Sequence, residues 1–354
     1  MKKAVLLLIV VLLSGCMNRK PDAPIASPVF ADRHLKNVTQ LTFDGDNGEA
    51  YFSADGKKLI FQSSRNDFSC DKIWTMNIDG LDKRMVGPDH GAQTCGFFFP
   101  DNRIVFASTS HLPGACPPKP ESPKGARYVW PLYPYNLFTA NPDGSDLTRI
   151  TDNAKYDAEP VISLDGKQIV FGSQRDGNFD VYIMNADASN LRRLTNRRGY
   201  NGGPWISPDG KKIVWRAWYP ETEAEQTQWK DCMEKNYIVA VPLDLWIMDV
   251  DGSNKRMILH NKATNFAPSW HPDGKRIIFA SNQDDWHADI RQYGHNFELY
   301  LINSDGTGLE RITYNNVFDS FPMFSPDGRK LVWASNRNPQ KPHETDIFIA
   351  DWEE

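Results

Sequence analysis

The chain has 354 residues, 40% apolar and 24% charged, with 24 Gly, 24 Pro, 11 Trp, 12 Tyr and 19 Phe. That apolar content excludes a disordered chain, and the absence of a Gly-x-y period excludes a collagen-like one. Its 40 basic residues are outnumbered by 45 acidic ones, so no positive excess exists to neutralise phosphates and nucleic-acid binding is excluded as a main role.

The first element in chain order is an address. Lys2 and Lys3 precede ten unbroken apolar residues, 4–13, about half of the ~20 that a membrane-spanning helix needs. Residues 1–15 therefore read as a signal peptide. The Leu13-Ser14-Gly15-Cys16 that ends it resembles the lipobox of bacterial lipoproteins, and this implies acylation of Cys16 and attachment through a lipid anchor alone. Met17 and Asn18 follow, so the Asp that marks inner-membrane retention in enterobacteria is missing, and the resemblance points to the outer membrane of a Gram-negative envelope. Residues 16–33, rich in Pro, Ala and Asp, read as a tether that lets the folded part stand off the bilayer.

From residue 34 onward one pattern recurs. Ser53-Ala54-Asp55-Gly56-Lys57-Lys58-Leu59-Ile60-Phe61 returns at Ser163, Ser207 and Ser325, with His in the first place at His271, and in a weaker copy from Pro100 to Phe106. Each copy is followed by a polar residue and an apolar-aromatic pair, as in Val181-Tyr182 or Leu299-Tyr300, then in most cases by a second Asp-Gly turn and an Arg-Ile-Thr-like strand. Asp-Gly supplies the positive φ that tight hairpins require, so each repeat reads as four short strands, A to D. Such a sheet cannot cover both of its faces alone, and six packed radially can. The chain stops after strand C of the last repeat, and the missing strand is Val38-Thr39-Gln40-Leu41-Thr42 near the start. The expected fold is thus all-β, a six-bladed propeller over residues 34–354 whose last blade is closed by the N-terminal strand.

The Ser-Pro-Asp-Gly-Lys-x-Ile-x-Phe, Asp-Ile-Tyr and Arg-Leu-Thr elements resemble the Tol-type, WD40-like propeller repeat of the TolB-like family and of prolyl oligopeptidase relatives. The resemblance covers almost all of the mature chain. It departs from TolB in lacking room for an α/β domain ahead of the propeller.

In this strand order the A–B and C–D turns share one side of the disc and the B–C and D–A loops the other. The repeat spacing places the extra length in B–C loops at residues 109–134, 217–242 and 282–296, all on the loop side, where recognition usually sits. They could also merely cap the channel. His90, His260, His111, His287, His295 and His343 fall on the same side; if a metal binds, His287, Asp289 and His295 are the candidate ligands. Residues 249–260 fail as a calcium loop because the twelfth position is His260 rather than Glu. Cys70, Cys95, Cys116 and Cys232 allow three pairings; neighbouring positions favour Cys70–Cys95, which leaves Cys116–Cys232 to join two insertions. The channel mouth is expected to carry Glu49, Gln93, Asp157, Glu159, Tyr200, Asn201, Asn265 and Asp319, and with Trp286 and His287 these are the candidate partner-binding residues.

The peptidase relatives carry a Gly-x-Ser-x-Gly elbow and a hydrolase domain, neither of which is present. The leading reading is a non-enzymatic, monomeric binding propeller without a cofactor. Resemblance to TolB implies an envelope protein partner such as a peptidoglycan-associated lipoprotein. The alternative is a metal-dependent polysaccharide lyase of the oligogalacturonate type, with Lys230 or Arg291 as the base, although that family carries a seventh blade.

Overall fold

The computed structural model describes residues 33–65, 68–121, 123, 129–289, 292–339, 341 and 344–354. The signal peptide, Cys16, all but the last residue of the tether, Arg291 and His343 lie outside the described residues. Blade 3 shows the plan: strands Asp157–Ile162, Gln168–Ser173, Asp180–Asn185 and Arg192–Arg193 follow one another in space as in sequence. Four other blades repeat it, and every strand ladder within a blade is antiparallel.

The conserved-looking turn forms for a local reason. In blade 3, Ser163 Oγ donates to Asp165 Oδ1 at 2.6 Å and accepts from the Gln168 N–H at 3.0 Å. Gly166, at φ +72°, lets the chain reverse between them. The polar residue before each apolar-aromatic pair has an equally definite task. Asp180 accepts from Thr195 Oγ at 2.7 Å, and that same oxygen accepts the Val181 N–H at 2.9 Å. Asn136 with Thr151, Glu298 with Thr313 and Asp346 with Thr42 recur in the same places. The Thr of the Arg-Ile-Thr strand thus stitches strand D to strand C where the ladder would otherwise end.

The ring closes as expected. Leu35–Gln40 pairs antiparallel with Asp346–Trp352, with Leu35 opposite Trp352 and Gln40 opposite Phe348. Apolar side chains from facing blades interleave into the core, in which Trp215 and Trp333 are fully buried; each such side chain contributes roughly 1.5–3 kcal/mol. The chain enters beside the Trp352 end, where the Trp352 N–H reaches the Arg329 carbonyl of an A–B turn at 2.7 Å. Entry is therefore on the turn face.

The insertions are not plain loops. Residues of the fourth-blade insertion form helix α1, Glu223–Lys235, started by a Thr222 capping box with Glu225 and ended by Asn236 in the left-handed conformation. After it, Tyr237–Val239 pairs with Val129–Pro131 of the second-blade insertion. The fifth-blade insertion carries a small hairpin, Trp286–His287 with Gln292–Tyr293. Among the described residues no helix is long and apolar enough to cross a membrane.

Candidate functional site

Two places on the loop side combine concavity with charge, the axial channel and a cleft under α1. Every inner strand slips register by one residue near its middle. The bulged residues Glu49, Cys95, Glu159, Gly203, Ala267 and Phe321 have φ between 49° and 61° and together line the axis. A bulge re-aims a side chain, and six in register produce a ring that is polar over blades 1 to 3 and apolar over blades 4 to 6.

Arg216 completes this ring from the second strand of blade 4. Repeats at its position carry Ala107, Gly172, Ala280 and Ala334, whereas Arg216 extends over Gly202 and Gly203; a Cβ at Gly203 would lie 2.3 Å from its guanidinium. It pairs with Glu159 Oε1 at 2.6 Å and donates to Tyr200 Oη at 3.0 Å, while Glu159 Oε2 accepts the Gly203 N–H at 2.8 Å. Phe266 and Trp130 flank the cation at 4.2 and 5.4 Å. Burial pushes the Glu49 carboxyl up to about 7, opposed by its hydrogen bond with the Cys95 thiol and reinforced by the charge of Glu159. One layer nearer the turn face, Tyr51, Phe97 and Trp205 meet edge to face at 5.1 and 5.4 Å. Between these layers remains a cavity of about 40 Å³, room for a few waters but not for a sugar or a peptide.

The cleft lies off axis. Helix α1 is held over blade 3 by Trp229 Nε1 donating to Asn178 Oδ1 at 3.1 Å and by Gln174 Nε2 donating to the Met233 carbonyl at 3.1 Å. Beneath it is a space of about 560 Å³ bordered by Lys155, Arg175, Arg198 and Lys230 among others, within the ~300–1,000 Å³ range of ligand pockets.

The candidate residues read from the sequence separate into groups. Gln93, Asp157, Asn201, Asn265 and Asp319 are fully buried, which corrects their expected place at an open channel mouth. As first residues of inner strands, or for Asn201 the second, they hold the framework: Asp157 accepts from Ser173 and Arg175, Asp319 from Asn315 and Arg337, and Asn265 donates to the Leu243 carbonyl. Glu49, Glu159 and Tyr200 do gather at the axis but are also buried, at 7%, 8% and 2% exposure. Trp286, half exposed, and His287 stand on the hairpin, with His287 Nε2 3.0 Å from Asp285. Among the described residues no three metal-binding side chains converge, so His287, Asp289 and His295 are not assembled into a set.

The disulfide expectation is also corrected. Cys70 pairs with Cys116, joining the first-blade B–C loop to the second-blade insertion, while Cys95 and Cys232 are free and buried. Cys95 sits in the channel ring rather than at the loop edge, and the blade 2 and blade 4 insertions are joined by their β-ladder instead. Sequence reasoning missed Arg216, which was visible as the only Arg where repeats place small residues or Gln62. The cleft carried no comparable signal.

Comparison with known proteins agrees with this architecture. A model of the TolB β-propeller domain matches residues 121–230 and 244–343. An uncharacterised protein of Agrobacterium fabrum is 28% identical over 134 residues, 38% of this chain and 37% of its own length. The Tol-Pal system protein TolB of Francisella tularensis subsp. mediasiatica is 29% identical over 109 residues, 30% of this chain and 22% of its own. The matches thus span well under half of these relatives. Among solved structures, a TolB candidate from Agrobacterium tumefaciens superposes with a TM-score of 0.55 at 19% identity, covering 88% of this chain and 91% of that one. An oligogalacturonate lyase from Vibrio parahaemolyticus gives 0.50 at 15%, covering 89% and 93%. At these identities the structural likenesses speak for the fold alone.

Proposed function

The chain belongs to the TolB β-propeller family, and from that premise we propose that it is a non-enzymatic, lipid-anchored envelope propeller that presents its loop face to a protein partner. The observation that carries this reading is the fusion of the insertions into one platform. The second- and fourth-blade insertions share a ladder, Cys116 ties the platform to blade 1, and Trp229 ties it to blade 3. Rigid, non-repeating structure on one side of a repetitive scaffold is where recognition resides. The channel is filled by its own ion pair and aromatic layers, which speaks against catalysis there, and the lyase alternative lacks an assembled ligand set among the described residues. By analogy with the Tol-Pal proteins, the partner is a peptidoglycan-associated lipoprotein or another envelope component.

The test is crosslinking in intact cells followed by affinity purification, comparing the full chain with a variant whose residues 217–242 are shortened to a turn. One envelope protein recovered with the intact chain and lost with the variant is the expected result. Equal recovery with both, or a stoichiometric metal with turnover of a polyuronate, would overturn it.

A further inference from the structure

We propose that the cleft between α1 and blade 3 binds a carboxylate-bearing peptide segment. The inference rests on the reading of the loop face as a partner surface and specifies the chemistry it recognises. Of the acids and bases that border the cleft, most are paired. Arg175 is held by Asp157 at 2.8 Å, Asp176 accepts from Tyr182 and faces Arg193, and Lys230 pairs along the helix with Glu234 at 3.7 Å. Among the described residues two cations have no acid partner: Lys155 donates to the side-chain oxygen of Asn236 at 3.1 Å, and Arg198 reaches the Gln226 carbonyl at 3.5 Å. Both are neutral acceptors, and the second is at the limit of a hydrogen bond. The cleft therefore carries a local positive excess on a protein that is acidic as a whole, the condition under which an anion is steered to one place.

A second observation selects the kind of anion. Gln174, 2% exposed, borders the cleft; its Nε2 is spent on the Met233 carbonyl, and its Oε1 has no hydrogen-bond partner among the described residues. The amide cannot be turned over, because Oε1 would then face that carbonyl. An orphaned buried acceptor asks for a donor. Sulfate offers none, and no single small anion spans Lys155 and Arg198, which meet α1 ten residues apart, roughly 15 Å at about 1.5 Å per residue; a peptide can span them and offers a main-chain N–H beside each side-chain carboxylate. One carboxylate on Lys155, at the C-terminal end of α1, and a second on Arg198, beside its first turn, with a main-chain N–H between them toward Gln174, serve all three groups. The walls are rigid, since Trp229 and Asn178 lock the helix above the floor, so little ordering is required on binding.

The experiment is fluorescence anisotropy of a labelled Ala-Asp-Ala-Glu-Ala peptide with the full-length chain, at about 50 mM and about 300 mM salt. Binding that weakens with salt is expected, together with roughly tenfold weaker binding of the Ala-Asn-Ala-Gln-Ala peptide. The Lys155→Gln, Arg198→Gln double variant should lose roughly tenfold in affinity, and Gln174→Leu a smaller factor. Lys57→Gln, on the turn face, should lose nothing. Unchanged binding in the double variant, equal binding of the neutral peptide, or full competition by inorganic phosphate would overturn the proposal. An envelope partner captured in cells without any peptide affinity would sink this inference and leave the proposed function standing. Peptide binding without a captured partner would do the reverse.

Discussion

The two faces of the disc are built by different kinds of hydrogen bond. On the turn face, Ser53, Ser163, Ser207 and Ser325 each donate to an Asp two residues on and accept an N–H five residues on. Each of these bonds stays within its own turn. On the loop face, the bonds that set the geometry join residues far apart in sequence: Arg216 to Glu159, Gln174 to Met233, Trp229 to Asn178 and Lys155 to Asn236. Local bonds are interchangeable between repeats and can be duplicated. Non-local ones are made once, and a change at either end falls on a partner with no substitute.

This contrast can be pressed experimentally. Arg216→Ala should have the largest effect, because it leaves the Glu159 carboxylate buried without its cation; a loss of about 3–5 kcal/mol is expected in urea unfolding. The double change Arg216→Ala, Glu159→Gln should recover part of it, and a loss equal to the sum of the single changes would show that the two side chains do not act as a pair. Glu49→Gln tests the same region through pH. A carboxyl raised to about 7 in the folded state holds a proton that the unfolded chain releases near its ordinary value of 4.5. Its contribution is thus fully present below about pH 4.5 and is lost as pH rises toward 7. In the variant, the fall in stability across that window should shrink by roughly 1–3 kcal/mol; an unchanged slope would place the titration elsewhere, with Glu298, also raised to about 7 by burial, the first alternative. Ser207→Ala on the turn face should cost least, about 1 kcal/mol. The equivalent changes at Ser163 and Ser325 should cost the same, and a strong difference among the three would contradict the equivalence of the turns.

The readings that survived from sequence to structure follow the same division. Four strands per repeat, six blades and closure by residues 38–42 were legible because turn chemistry and strand alternation act over a few residues and recur. The partner-binding candidates did less well. Asp157, Asn201, Asn265 and Asp319 are polar for the framework, and their burial comes from neighbouring loops that only folding brings over them. The cysteines failed for a related reason: Cys95 follows Thr94 in a strand that bulges, and the bulge carries its side chain to the axis, away from Cys70.

What the sequence determined by itself was the scaffold, down to the strand that closes it and the face that carries the insertions, since each of those features is written in local hydrogen bonding and periodic burial. What only the tertiary structure decided was the content of the two concave places. Glu49, Glu159 and Arg216 come from three blades, and Lys155, Arg198 and Gln174 meet α1 across a gap of many residues. A ring brings such groups together through blade packing and β-bulges, and their charges acquire meaning only when burial fixes which are paired and which are left open.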